Sequence, residues 1–254
     1  MKYKPVKIGM GQMLVESGKQ LENLERARQM IEQAANQGCM FVVLPECLDI
    51  GWANPNASQL AEPIPGKCSE FLCQAAKLNK IYVVAGLTER EDYKLYNAAV
   101  LISPDGNILS RHRKINLLEI ESMYSVGDRL TVTDTPFGKA GINICADNLA
   151  DSLMLGHSLA RMGARFILSP SAWAVDRNHD NYANPYGKVW EVPYRELAAL
   201  YGITVIGVSN VGWISEGSWR GRKCIGSSMA IGPKGIFKKG RYGVAEQQLL
   251  VVEI

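Results

Sequence analysis

The chain has 254 residues and a formal net charge of +3, with 47% hydrophobic and 21% charged residues. This composition is typical of a globular protein with a sizeable core, and the small charge does not favour nucleic acid or a membrane surface as a partner. No apolar run reaches the roughly 18 to 20 residues that a membrane-spanning helix requires. The N-terminal segment also lacks the apolar stretch of a signal peptide, so we predict a cytoplasmic protein.

The six cysteines are expected to be reduced thiols, because the sequence shows no secretion signal. None of the three histidines pairs with a cysteine at a spacing typical of metal ligands. The segment Gly9-Met10-Gly11 follows a strand-like run but lacks the third glycine of a dinucleotide-binding loop. We therefore predict neither a metal nor a cofactor.

Strand-like and helix-like segments alternate in the N-terminal half of the chain. The short apolar run Phe41 to Leu44 is typical of a strand that is buried on both faces. Ser103-Pro104-Asp105-Gly106-Asn107 separates two strand-like segments and predicts a β-hairpin. In chain order, the predicted elements are a strand over 6–13, a helix over 20–37, a strand over 41–44, a helix over 68–79, a strand over 81–88 and hairpin strands over 97–102 and 108–111.

In the C-terminal half, a buried strand over 140–144 is followed directly by Cys145. In the next helix, which Gly163 ends, Leu155, Leu159 and Met162 are predicted to share one face. Residues 173–188 are rich in Asn, Asp and Pro and predict a long surface loop. The remaining predicted elements are a strand over 166–169, a helix over 190–201, a strand over 204–209, a hairpin over 227–237 and a strand over 248–253. No linker or charge block divides the sequence, so we predict a single domain over residues 1–254, with mixed sheet covered by helices.

Three segments each offer one reactive side chain. Glu46 ends Val42-Val43-Leu44-Pro45-Glu46, Lys114 ends the basic run Arg111-His112-Arg113-Lys114, and Cys145 follows Gly141-Ile142-Asn143-Ile144. A carboxylate can remove the proton of a thiol and so activate it as a nucleophile. An ammonium can then stabilise the oxyanion that forms when the sulfur adds to a carbonyl group. Together the three residues predict an amide-cleaving site.

Each of these residues also has a purely structural interpretation. Cys145 could be a buried core thiol, although a strand-to-helix turn brings backbone N–H groups and a helix N-terminus to the sulfur, which favours the thiolate. Asp147-Asn148 suits such a turn. Glu46 could be a surface acid with Cys47 as a rival thiol. Lys114 could belong to a solvated basic turn, because the sequence does not identify which of these basic side chains points inward.

A second carboxylate is expected near the lysine, because Glu119 and Glu121 both follow Lys114 closely. Such an acid would raise the pKa of the first one and position the lysine or the hydrolytic water. An exposed carboxylate is the ordinary alternative for both residues.

Over essentially its full length, the chain resembles the nitrilase superfamily of carbon–nitrogen hydrolases. The acid, lysine and nucleophile motifs of that family are similar to Val43-Leu44-Pro45-Glu46, Arg113-Lys114-Ile115-Asn116-Leu117 and Gly141-Ile142-Asn143-Ile144-Cys145. Further similar segments are Tyr96-Asn97-Ala98, Ser209-Asn210-Val211-Gly212, Gly226-Ser227-Ser228 and Gly232-Pro233-Lys234-Gly235.

The resemblance implies an α/β fold, a four-layer α-β-β-α sandwich, in which Cys145, Glu46 and Lys114 meet at the edge of the sheets. It implies Glu121 as the auxiliary acid, with Glu119 as the alternative. It also implies that no cofactor or metal takes part, and that the protein forms a homodimer or a larger homo-oligomer.

Three further residues are candidates for contacts with the substrate. The backbone N–H of Ala146 is expected to serve the oxyanion, and Trp173 and Asn97 are candidate substrate-binding residues. The loop with Asp176, Arg177, His179 and Asp180 could bind a polar end of the substrate, although a solvated surface explains it equally well.

One segment departs from the family pattern. Many relatives continue after the cysteine with an aromatic residue, an aspartate and an Arg-x-Pro-Glu-like run, whereas Cys145 is followed here by Ala146-Asp147-Asn148-Leu149-Ala150-Asp151. We therefore expect a reshaped pocket beside the cysteine.

The favoured hypothesis is a thiol amidohydrolase that forms a thioester acyl-enzyme with a small linear amide or an N-carbamoyl compound. One alternative is nitrile hydrolysis at the same site. Another is a non-catalytic member of the family that binds a metabolite or a partner protein.

Overall fold

Two six-stranded β-sheets pack face to face in the computed structural model, which describes residues 4–254. The first sheet consists of β1 (Lys7–Gln12), β2 (Phe41–Val43), β3 (Tyr82–Glu91), β4 (Lys94–Ile102), β5 (Ile108–Arg113) and β15 (Gln248–Glu253). Its spatial order is β15-β1-β2-β3-β4-β5. Strands β1, β2 and β3 are parallel, and the other neighbouring strands are antiparallel.

The second sheet has the same plan, with three parallel strands between antiparallel ones. It consists of β6 (Val132–Thr133), β7 (Lys139–Ile142), β8 (Ala164–Ser171), β10 (Thr204–Ser209), β13 (Met229–Gly232) and β14 (Gly235–Lys239). Its spatial order is β14-β13-β10-β8-β7-β6, and β7, β8 and β10 are the parallel strands. A small third sheet contains β9 (Ala174–Val175), β11 (Val211–Trp213) and β12 (Lys223–Ile225).

Helices cover the outer face of each large sheet. The helices are α1 (Gln20–Asn36), α2 (Ala57–Leu60), α3 (Lys67–Asn79), α4 (Leu153–Arg161) and α5 (Lys188–Tyr201). Apolar residues of α1 and α3 pack on the first sheet, and those of α4 and α5 pack on the second. The predicted four-layer α-β-β-α sandwich is therefore confirmed. Among the helices within residues 4–254, none is long and apolar enough to cross a membrane.

The alternation of side chains along β2 explains why its apolar run is continuous. Phe41 and Val43 belong to the core between the two sheets, whereas Val42 and Leu44 pack under α1 and α3. Successive side chains of a strand point to opposite faces, so a strand buried on both faces is apolar at every position. The Phe41 ring lies across the interface, 5.4 Å from that of Phe166 and edge-on to it.

Two predicted segments differ from the structure. Trp173, Ala174 and Val175 begin the predicted surface loop but are buried, and strand β9 pairs with β12. The polar residues that follow dominate this part of the sequence, and a two-residue strand is too short to show a period. Met162 is 43% exposed, because α4 ends at Arg161 before the last turn of the predicted apolar face.

The loop after β2 is held against both sheets. The Gly86 backbone N–H donates to the Pro45 carbonyl oxygen at 3.0 Å, and the Glu46 N–H donates to the Ser171 carbonyl oxygen at 3.3 Å, at the end of β8. A Cβ atom at Gly86 would lie 2.5 Å from the Glu46 Cα and 2.8 Å from the Pro45 carbonyl oxygen. The absence of a side chain at Gly86 therefore lets the backbone around Glu46 approach the first sheet.

We predict that Gly86→Ala destabilises the protein by about 2 to 3 kcal/mol, because the new methyl group meets rigid backbone. Gly187→Ala is the matched control. A Cβ there would approach only the flexible ends of Lys239 and Met229, so its cost should stay below about 1 kcal/mol. Urea unfolding measures both free energies. Equal values for the two variants would contradict the proposed close packing.

Candidate active site

Glu46 occupies a buried turn directly after β2. Its side chain is fully buried, and the following residue, Cys47, has a φ of +43°. A non-glycine residue rarely adopts this conformation, so the chain turns sharply behind the acid. The Glu46 carboxylate therefore points into the protein and not into solvent.

Lys114 follows β5, whose alternation separates the basic side chains. His112 and Lys114 point inward and are buried. Arg113 lies on the opposite face, where its Nε atom donates to Glu89 Oε2 at 2.7 Å, and Arg111 also pairs with Glu89. The strand period of two thus decides which member of the basic segment reaches the interior.

The Lys114 ammonium lies between two buried carboxylates. Its Nζ atom is 2.8 Å from Glu46 Oε1 and 2.8 Å from each carboxylate oxygen of Glu121. The Asn97 amide links the same two acids, because its Nδ2 atom donates to Glu46 Oε1 at 2.6 Å and to Glu121 Oε1 at 2.9 Å. Glu46 Oε2 is buried and has no hydrogen-bond partner among the described residues. One oxygen of this acid is therefore held in place, and the other is available.

The structure distinguishes the two acids that follow Lys114. Glu121 is fully buried at the end of a short 3₁₀ turn, Glu119–Glu121, whereas Glu119 is exposed. The indole N–H of Trp52 donates to Glu121 Oε1 at 2.8 Å. Glu121 therefore belongs to the buried charge cluster, and Glu119 does not.

Cys145 lies at a sharp turn between β7 and a short 3₁₀ helix, Cys145–Asn148. Its φ of +42° is unusual for a residue with a side chain and directs the sulfur away from the path of the strand. The side chain is only 4% exposed, but it lines a cavity of about 140 Å³. A strained backbone conformation persists only where the surrounding structure holds it in place. Such conformations are concentrated at functional sites.

Burial dominates the pKa of the thiol, whereas the neighbouring carboxylates dominate that of the lysine. It raises the pKa of the Cys145 thiol well above the ordinary value, and the negative charge of Glu46 adds to this effect. The Lys114 ammonium and the Ala172 backbone N–H lower the pKa but do not outweigh burial. Burial would also lower the pKa of Lys114, but the charges of Glu46 and Glu121 hold it well above the ordinary value.

These shifts act against the effect expected of the turn, which was to favour a thiolate. Cys145 is buried beside a carboxylate, and the 3₁₀ helix after it has only four residues. Burial beside this carboxylate therefore favours the neutral thiol of Cys145 over the thiolate. Burial raises the pKa of the Glu46 carboxyl as well, against the opposing charge of Lys114, so this acid can both accept and donate a proton.

Asp147 joins the lysine segment to the cysteine turn. Its Oδ1 atom accepts from the backbone N–H groups of Ile115 and Asn116 at 3.0 and 2.8 Å, just after Lys114. Its Oδ2 atom accepts from the Ile144 N–H at 2.9 Å, just before Cys145. His112 Nε2 lies 2.8 Å from the same oxygen. Burial would raise the pKa of Asp147, but hydrogen bonds from His112 and the backbone keep it below the ordinary value.

The cavity at Cys145 is mainly aromatic and aliphatic. Its walls come from segments that are far apart in the sequence. The lining residues are Trp52, Leu118, Cys145, Leu149, Ala172, Ala174, Tyr186, Val189, Trp190 and Trp219.

Neither Trp173 nor Asn97 lines this cavity. Trp173 is fully buried and stacks on Trp190 at 5.1 Å between ring centroids, so Trp190 forms the wall in front of it. Asn97 contacts the two carboxylates, as described above. Ala146 is fully buried beside Cys145, and its carbonyl oxygen accepts from Asn116 Nδ2 at 2.9 Å.

Sequence reasoning did not identify Trp52 and Tyr186 as cavity residues or Asp147 as a link between segments. The alternation of side chains along β5 could have predicted that His112 is buried. The missed residues in loops have no such periodic pattern. Within residues 4–254, no group of three or more His, Cys, Asp or Glu side chains is arranged to hold a metal ion.

Known proteins resemble this chain in sequence. The carbon–nitrogen hydrolase family matches residues 7–254. Omega-amidase NIT2-A of Xenopus laevis is 36% identical over 179 residues, which cover 66% of this chain and 63% of that protein. Human omega-amidase NIT2 is 34% identical over 164 residues, which cover 60% of this chain and 58% of that protein. The match thus spans about three fifths of the length of these relatives.

Solved structures share the fold. A carbon–nitrogen hydrolase from Helicobacter pylori superposes with a TM-score of 0.86 and 22% identity, over 99% of this chain and 89% of that chain. Saccharomyces cerevisiae Nit3, a member of branch 10 of the nitrilase superfamily, gives a TM-score of 0.83 and 25% identity, over 98% and 90% of the two chains. Since the family match covers nearly the whole sequence and the fold agrees, this protein belongs to the carbon–nitrogen hydrolase family of the nitrilase superfamily.

Proposed function

We propose that this chain is a thiol amidohydrolase that cleaves small linear amides or N-carbamoyl compounds through a thioester on Cys145. The observation that carries this proposal is the buried ammonium of Lys114, which Glu46 and Glu121 hold where its charge acts on Cys145, a residue that lines a cavity. The names of the omega-amidase relatives support amides over nitriles as substrates.

In the first half of the proposed reaction, Glu46 accepts the proton of Cys145 while the sulfur adds to the carbonyl carbon. The π electron pair of the carbonyl moves to its oxygen. Lys114 Nζ and the Ala146 backbone N–H donate hydrogen bonds to this oxyanion, and each such donor contributes on the order of a few kcal/mol. Glu46 then gives its proton to the nitrogen, the carbon–nitrogen bond breaks, and ammonia or an amine leaves.

In the second half, water attacks the thioester carbon while Glu46 accepts its proton. The tetrahedral intermediate collapses, the carbon–sulfur bond breaks, and the proton returns to the sulfur. The carboxylic acid leaves, and the thiol is restored. The sum is one amide and one water converted to one acid and one amine.

Asn97 and Glu121 act as positioning residues in this scheme. Asn97 contacts Glu46 and Glu121 contacts Lys114, and neither of the two is among the residues that line the cavity. Asn97 and Lys114 both donate to Glu46 Oε1, which leaves Oε2 to exchange protons with the sulfur. Glu121 also stabilises the charge of Lys114, which would otherwise be costly to bury.

Nitrile hydrolysis and a non-catalytic binding function remain the alternatives. Incubation with a panel of amides, carbamoyl compounds and nitriles, followed by analysis of the products, distinguishes them. Turnover of nitriles without turnover of amides would favour the first alternative. Binding without any product across the panel would favour the second.

We predict that Cys145→Ala lowers kcat/KM for an amide substrate by about 10⁴-fold or more, because the nucleophile is lost. Cys73→Ala, which removes a half-buried thiol on α3, is the control and should keep full activity. Thermal unfolding checks that both variants are folded. Wild-type rates in the Cys145→Ala variant would refute the assignment.

The two neighbouring acids offer a second matched pair. Glu121→Gln should lower kcat by about 10²-fold, because one of the two charges that hold Lys114 is removed. Glu119→Gln should change kcat less than twofold, since that side chain is exposed. Steady-state kinetics on one amide measures both. A comparable loss in both variants would argue against a specific role for Glu121.

The pH dependence follows from the carboxyl of Glu46. As the pH falls, Glu46 gains a proton and no longer serves as a base, so kcat/KM decreases. Because burial raises this pKa, the midpoint of the acid limb should lie above the ordinary 4.5. Lys114 should cause no loss below its ordinary pKa of 10.5, since its pKa is raised further. An acid limb at or below 4.5, in protein shown to be folded, would contradict this account.

A further inference from the structure

We propose that the cavity at Cys145 selects amides whose acyl group is small, apolar and uncharged, and that it rejects amides whose acyl group carries a carboxylate. This inference rests on the proposed function, because it concerns the acyl half of the same substrate. It adds a substrate class that the reactive residues alone do not define.

The first argument is the chemistry of the cavity wall. Apart from the sulfur, the wall is built from indole and phenol rings and from aliphatic side chains. Within the part of the chain that the structure describes, no Lys, Arg or His side chain is among the lining residues. A carboxylate that enters this space loses its hydration and gains no ionic partner, which is unfavourable.

The second argument concerns the cations near the site, which are already paired. Lys114 is shared by two carboxylates, so the catalytic cluster carries an excess of negative charge when both acids are ionised. The Arg222 guanidinium lies 4.0 Å from the centre of the Trp219 ring and pairs with Asp176 at 3.0 Å. Arg177 lines a separate groove and lies over Trp213. Neither arginine is among the residues that line the cavity.

The third argument is size and shape. The cavity has a volume of about 140 Å³. This volume is several times the roughly 30 Å³ that one water molecule occupies in the liquid, so it is of the order of a short branched alkyl group. Trp52 and Trp219 meet edge to face with centroids 5.0 Å apart and form one corner of the wall. A short alkyl chain fits this space, and each buried CH₂ group should raise kcat/KM about fourfold until the cavity is full.

The wall is also tied to the catalytic cluster. The Trp52 indole donates to Glu121, which binds Lys114. A change at Trp52 would therefore disturb the acid as well as the pocket. Val189 is a better site for a test, because it lines the cavity from α5 and is 47% exposed at its mouth.

The test compares 4-methylpentanamide with succinamate, whose acyl groups have the same number of non-hydrogen atoms but differ in charge. We expect kcat/KM to be about 10²-fold or more higher for the neutral amide. Val189→Arg should raise kcat/KM for succinamate at least tenfold, because it adds a cation at the mouth of the cavity. Val192→Arg is the matched control, one helical turn away and 62% exposed, and should leave the ratio unchanged.

Equal rates for the two wild-type substrates, or a preference for succinamate, would overturn the inference and leave the proposed function intact. If neither amide is hydrolysed, the proposed function fails instead. In that case, calorimetry measures the affinity of the Cys145→Ala variant for both compounds. The two affinities show whether the cavity prefers the neutral or the charged acyl group. Tighter binding of the neutral amide supports the inference, and equal or weaker binding contradicts it.

Discussion

The burial of one ammonium between two carboxylates is the interaction on which the site depends. Lys114, Glu46 and Glu121 are all fully buried, and any one of them alone would be strongly unfavourable in the interior. Together they neutralise much of each other's charge, and Asn97 supplies a further donor to both acids. The fold therefore has to bring four separate segments to one point. This requirement explains the close approach of β3 to the Glu46 turn at Gly86.

The cysteine turn is connected to this cluster through hydrogen bonds rather than through packing alone. Asp147 binds backbone groups beside Lys114 and beside Cys145, so the cysteine turn and the ammonium share one anchor. Proteins place reactive groups accurately by this kind of support behind the site. Asp147 is not among the residues that line the cavity, whose walls are apolar. The charged and apolar halves of the site are thus built from different residues.

Much of the fold was predictable, because long periodic segments determine it. The strand over Thr204–Ser209 and the last strand, Gln248–Glu253, have the predicted bounds, since their apolar runs are bounded by polar or turn residues. The start of the predicted loop at Trp173 was wrong, because burial there depends on pairing with β12, which lies about fifty residues later in the chain. Local patterns carry no information about such distant pairing.

The positions of the reactive residues were predictable to different degrees. Glu46 and Cys145 follow apolar strands, so their place at a strand end could be inferred from the sequence. The choice between Glu119 and Glu121 could not, because it depends on a 3₁₀ turn and on the indole of Trp52, far away in sequence. The apolar cavity could not be predicted from the sequence either, because its walls come from several loops and from α5.

The most direct test of the central claim is intact-mass and peptide analysis of the protein quenched during turnover of a slowly hydrolysed amide. The account predicts a mass increase equal to the acyl group, located on the peptide that contains Cys145. Product formation with the acyl group on Cys47, or with no acylated cysteine under conditions where deacylation limits the rate, would contradict it.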